Sequence, residues 1–175
     1  MLNNNEANRH IRTADRRGDY LLALIPLAVG ALLLFPRLGD RCLWTDEAET
    51  ALISSTLLSD FVPKAWDGRN LLYVYEVSFN SQLVATILPW LSYYVTAGSF
   101  AVLGESAFTA RLPFVVASLA SILATYFLVL NVSGDRSWAF VSALLLSLSV
   151  PFLLYARTCR YYALTTVLAV LLLHT

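Results

Sequence analysis

Trp44-Thr45-Asp46-Glu47-Ala48-Glu49 sets three carboxylates close together, soon after residues 20–35, a stretch with no charged side chain. Carboxylates beside apolar surroundings are costly unless they pair, bind a cation or do chemistry. A carboxylate in hydrogen-bond reach of a hydroxyl can act as a general base. Arginines suit an anionic group leaving the same site, because the planar guanidinium makes paired bonds to phosphate oxygens. Arg157 and Arg160 supply two of them in one short segment. Each candidate also has a plainer reading: Asp46 as a helix cap, and the two arginines as side chains reaching out from an apolar boundary.

The elements that must position these groups are apolar. The chain is 58% hydrophobic and 14% charged, with a mean hydropathy of +0.63, against about 45–50% and about 25% in ordinary globular domains. That excess predicts an all-α, multi-pass membrane bundle, with spans over residues 20–38, 111–130, 138–155 and 161–175. Residues 1–19 form a polar tail. Its Arg9, Arg12, Arg16 and Arg17 predict a cytoplasmic N-terminus in an inner (cell) membrane. A formal net charge of zero removes any global field for nucleic acid.

Residues 46–58 read as a short helix, with Thr45 or Asp46 as cap and Glu49 as a solvated residue. Residues 83–103 carry Pro89, Trp90, Tyr93 and Tyr94, with a polar stripe at Ser92, Thr96 and Ser99. This pattern fits a helix lying in the interface as well as one crossing it. The choice decides whether Arg160 shares a side with Asp46, and the charge rule alone favours the crossing that separates them. Arg111, opening an apolar run, reads as a topology anchor. The apolar run still in progress at residue 175 predicts an N-terminal fragment of a longer protein.

Leu43-Trp44-Thr45-Asp46-Glu47-Ala48-Glu49-Thr50-Ala51 resembles the first-loop signature of GT-C glycosyltransferases, which include protein O-mannosyltransferases and the aminoarabinose transferases that modify lipid A. Leu88-Pro89-Trp90-Leu91-Ser92-Tyr93-Tyr94, the segment from Leu103 through Arg111-Leu112-Pro113, and Tyr155-Ala156-Arg157-Thr158-Cys159-Arg160-Tyr161-Tyr162 are similar to three further segments of that family, in the same order. The resemblance covers about residues 20–175. It implies a glycosyltransferase that moves a sugar from a polyprenyl-phosphate donor to a lipid, protein or glycan acceptor on the extracytoplasmic face of the bilayer. It also implies that residues 83–103 lie along the surface, so that Asp46 and Arg160 share a side. By that resemblance Asp46 is the general base of a single inverting step, and Arg157 and Arg160 hold the donor phosphate. Glu47, which helix geometry points away from Asp46, binds the acceptor or a cation. Trp44 and Tyr73 line a sugar or lipid path or serve as interfacial anchors.

The chain departs from the family where some members carry a metal-binding acid before the Pro-Leu helix. Ala85-Thr86-Ile87-Leu88 holds none, which leaves Glu76 and Asp46 as weak metal candidates and a divalent metal an open question. In the implied topology Cys42 and Cys159 share a side, so a disulfide between them stands against the plainer reading of two unrelated small residues. The rival functions are a non-enzymatic transporter segment or assembly subunit, and an inactive fragment of a glycosyltransferase. A transporter should bury its ionisable groups at mid-span, whereas these acids lie outside the clear apolar runs.

Overall fold

The computed structural model describes the backbone of residues 4–72, 79–86 and 88–174, and side chains from residue 18 onward within those ranges. Seven helices follow one another: α1 (Asn4–Leu34), α2 (Thr45–Asp60), α3 (Leu91–Leu103), α4 (Ala107–Ser133), α5 (Arg136–Leu148), α6 (Val150–Ala156) and α7 (Tyr162–Leu172). Between α2 and α3 the described chain is irregular, with isolated antiparallel bridges pairing Lys64 with Val84, Trp66 with Leu71 and Phe79 with Ala85. The all-α expectation therefore holds.

Helix α4 is the central post, packed against α1, α3, α5 and α7. Its start is fixed by Ser106, whose hydroxyl accepts from the Thr109 amide at 3.1 Å while the Thr109 hydroxyl accepts from the Ser106 amide at 2.9 Å. These are two of the donors a helix start leaves open. Its end is Gly134, at φ 67, whose amide donates to the Leu130 carbonyl; glycine reaches this left-handed geometry without steric cost. Pro113 lies inside α4 and cannot donate to the carbonyl four residues back. That carbonyl, of Thr109, instead accepts the Ser99 hydroxyl of α3 at 2.6 Å. The proline thus opens a carbonyl that docks a neighbouring helix.

Apolar side chains fill the seams. Ala23, Ile122, Tyr126, Ala139 and Ala143 join α1, α4 and α5. Phe100, Ala110, Phe114, Cys159 and Ala163 join α3, α4 and α7. Ile53, Leu57, Tyr93 and Ala97 join α2 to α3. Each large side chain buried this way contributes about 1.5–3 kcal/mol. The approach of α1 to α4 is close enough that a Cβ on Gly30 would lie 2.5 Å from Ile122 Cδ1.

The expectation of a multi-pass membrane bundle is corrected. Among the described residues one unbroken helix, Ala107–Ser133, is long and apolar enough to cross a membrane, where about 20 residues are needed. Helices α5 and α6 reach that only taken together as a bent pair. The span expected at 20–38 is an apolar stretch of 17 residues, Gly18–Leu34. It stops before Pro36, and Arg37 then turns the chain at φ 57. The span expected at 138–155 is two helices, α5 and α6, bent by 61° at Ser149; Pro151 cannot continue the α5 ladder. The span expected at 161–175 is an 11-residue helix, α7. The multi-pass assignment, and the inner-membrane placement with a cytoplasmic N-terminus that rested on it, therefore lose their support. Composition measured the amount of apolar sequence but not where the helices break.

The two shorter helices divide differently. Helix α2 runs over Thr45–Asp60, close to the expected 46–58, but its cap is Trp44. The helix expected over 83–103 begins only at Leu91. Leu83 sits at φ 60, and Pro89 precedes the cap residue Trp90, whose indole donates back to the Ala85 carbonyl at 2.9 Å.

Candidate functional site

The acidic motif occupies the first turns of α2, and its three carboxylates meet three different environments. Glu47 is buried, 1% exposed. Its Oε1 accepts from Arg111 Nε at 2.8 Å and from the Cys159 amide at 2.9 Å. Its Oε2 accepts from Arg111 Nη2 at 2.6 Å and, reaching back over the helix start, from the Trp44 amide at 3.4 Å. Arg111 is just as fully used. Nη1 donates to the Leu38 and Arg41 carbonyls at 2.8 and 2.9 Å, and Nη2 also donates to the Cys42 carbonyl at 3.1 Å. With the two bonds to Glu47, all five N–H groups of the guanidinium have an acceptor. This pair pins the α1–α2 connection and the α6–α7 connection to the base of α4.

Arg160 is held differently. It is buried, yet Nη1 divides between the Asp46 carbonyl at 3.1 Å, Glu49 Oε2 at 3.3 Å and the Thr50 hydroxyl at 3.3 Å. Nη2 stands 3.5 Å from Asp46 Oδ2, beyond ordinary hydrogen-bond length. Nε is buried with no partner. The Asp46 side chain is 40% exposed, and since Trp44 is the cap, Asp46 does not close the helix start. One acid is sealed, one is shared with Arg160, and one is open.

Beside the motif lies a cavity of about 590 Å³, walled by Arg37, Arg41, Trp44, Arg111 and Arg157 among others. Its two lining carboxylates, Asp40 and Glu47, are paired with Arg37 at 2.8 Å and with Arg111. Arg41 and Arg157 have no carboxylate partner among the lining residues, so the cavity carries excess positive charge. Arg157 Nη2 donates to the Pro36 carbonyl at 2.7 Å and Nη1 to the Leu33 carbonyl at 3.4 Å. It covers the open carbonyls at the end of α1, where a cation is favoured. Trp44, half-exposed, stands on the cavity wall two residues from Asp46.

The structure thus brings Asp46 and Arg160 together, as the resemblance implied and the charge rule did not. Arg157 and Arg160 do not converge: Arg157 lines the cavity, whereas Arg160 lies against Asp46 and Glu49. Glu47 has no free oxygen to offer an acceptor. Arg111, expected to be an anchor without a partner, is the counter-ion of Glu47. Glu49, expected to be solvated, is buried against Arg160. Sequence separations of 64 and 111 residues leave no local signal for either pair.

Glu76 and Tyr73 lie outside the described residues. Among those described, no group of three His, Cys, Asp or Glu side chains is placed to hold a metal ion. Each acid of the motif instead has a guanidinium neighbour, Arg111 for Glu47 and Arg160 for Asp46 and Glu49. Cys42 is exposed and Cys159 buried, and both are free. Burial pushes the Cys159 thiol up to about 12, with the Thr96 hydroxyl 3.5 Å from its sulfur opposing the shift. Thiolate is the reactive form. At pH 8 iodoacetamide should therefore modify Cys42 in the native protein and Cys159 only after unfolding, as peptide mass mapping can read. Resistance of both until a reductant is added would instead reveal a disulfide.

Comparison of the chain with family models, curated proteins and solved structures gives no match.

Proposed function

We propose that the chain carries a glycosyl-transfer site that takes a sugar from a polyprenyl-phosphate donor. In this reading the donor phosphate enters the cavity beside Arg41 and Arg157, with Trp44 flanking the sugar. Asp46 accepts the proton of the acceptor hydroxyl as its oxygen attacks the anomeric carbon. The bond to phosphate breaks in the same inverting step, and the arginines neutralise the leaving group. One observation carries the reading. The only carboxylate of the motif that stays open, Asp46, comes two positions along the chain after Trp44, which lines a cavity where two arginines lack a lining carboxylate partner.

A second reading is favoured by the fate of Glu47 and Glu49, both used inside the fold. There the motif is a helix-docking device in a non-enzymatic protein, and Asp46 is a surface charge.

The deciding experiment incubates the full chain with a polyprenyl-phosphate carrying a radiolabelled hexose and a mixed pool of hydroxyl acceptors. Transfer of label supports the first reading. Its absence, together with no binding of farnesyl phosphate by calorimetry, supports the second. If the first holds, Arg41→Ala with Arg157→Ala should weaken farnesyl phosphate binding by about 10-fold or more, as expected for losing two charge-assisted contacts. The loss should shrink as salt rises.

A further inference from the structure

Glu49 has no place in the proposed chemistry, yet it is buried in the polar seam where α2 meets α3 and the α6–α7 connection. Its carboxylate lies 3.3 Å from Arg160 Nη1. Tyr93 of α3 packs into the same seam, and its ionisation is opposed first by burial and then by the Glu49 charge. Arg160 is therefore placed between two acids. Glu49 draws on Nη1 from the buried side, while Asp46 Oδ2 stays 3.5 Å from Nη2 on the open side.

A guanidinium with an unpartnered Nε, and with carboxylate contacts of only 3.3 and 3.5 Å, has the capacity to close on whichever carboxylate is left to it. A base locked in a short ion pair would be a poor proton acceptor. We infer that Glu49 is a positioning residue that holds Arg160 off the Asp46 carboxylate and so keeps Asp46 open. The role of this openness rests on the glycosyl-transfer reading; the steering of Arg160 does not.

Four variants test it: Glu49→Gln, Glu49→Asp, Arg160→Gln and the double variant Glu49→Gln with Arg160→Gln. Each is treated with a water-soluble carbodiimide and an amine, and modification of Asp46 is followed by peptide mass mapping. With Glu49→Gln the Arg160 charge should close on Asp46 and slow its modification by about 10-fold relative to the native chain. Adding Arg160→Gln should restore the native rate, and Glu49→Asp, which keeps the charge, should lie between.

A residue that merely docked α2 would give the opposite pattern. Its loss would loosen the seam, raise the labelling of Asp46, and show no reversal in the double variant. Either an unchanged or a faster rate in Glu49→Gln overturns the inference. If the labelling pattern holds and no sugar is transferred, the glycosyl-transfer reading fails and the steering of Arg160 stands. If sugar is transferred and labelling is unchanged, Asp46 is open for another reason and Glu49 is not its keeper.

Discussion

Replacing Arg111 with alanine should destabilise the fold by about 3–5 kcal/mol, the cost of leaving one partner of a buried ion pair unmatched. Glu47, 1% exposed, would be left buried with only the Cys159 and Trp44 amides as donors. Three carbonyls of the α1–α2 connection, on Leu38, Arg41 and Cys42, would lose their donor as well. Urea titration followed by circular dichroism measures the change directly. Arg111→Lys should recover only part of it, because an ammonium cannot form the two-pronged contact with Glu47 and reach the carbonyls together.

The double variant Glu47→Gln with Arg111→Met should lose less than the sum of its single variants, as coupled neighbours do. A loss below about 1 kcal/mol for Arg111→Ala would place the pair with surface bridges. That result would mean the seam around it is wetter than its geometry implies.

If the chain transfers sugar as proposed, Asp46→Asn should lower the turnover by about 10²–10⁴-fold, the usual contribution of a positioned general base. Donor binding should be nearly unchanged, since the proposed phosphate site rests on Arg41 and Arg157 of the cavity wall. Stability should move by no more than about 0.5 kcal/mol, as for other open surface positions. The side chain makes no helix-cap bond, and its contact to Arg160 is long. The separation of these effects is the informative part. A fall in turnover with intact binding and folding identifies a chemical role. Equal falls in stability and turnover would make Asp46 a structural acid like Glu47.

The sequence made some of this legible. The apolar face of α4, the N-terminal signal of α2 and the turn between α4 and α5 all follow from local rules of periodicity and capping. The breaks did not. Ser149 divides a run that is continuous by hydropathy alone; the mark of the break is Pro151, which has no amide hydrogen to carry the α5 ladder on. Trp44 is the cap of α2 although Thr45 and Asp46 are the better capping types. The Glu47 carboxylate reaches back to the Trp44 amide instead, an arrangement set by its bond to Arg111.

The site was half visible for the same reason. The types at Asp46, Glu47, Arg157 and Arg160 marked the region. Which acid met which arginine depended on helix docking over separations of 64 to 114 residues. The open acid could be told from the sealed ones only once Tyr93 and Arg111 were in place. Residue type identified the chemistry available; tertiary packing allotted it.

The pinning of two connections by Glu47 and Arg111 also fixes an order in time. At about 5–20 residues per second of synthesis, Glu47 leaves the ribosome several seconds before Arg111, 64 residues later. The Cys159 amide and Arg160 follow more than 110 residues after the motif. Until then the acids of α2 can only stay hydrated, and closing such long loops carries an entropic penalty that local helix formation does not. The apolar face of α2 can meet α3 early, but its acidic corner closes only once α4 and the α6–α7 connection have been made.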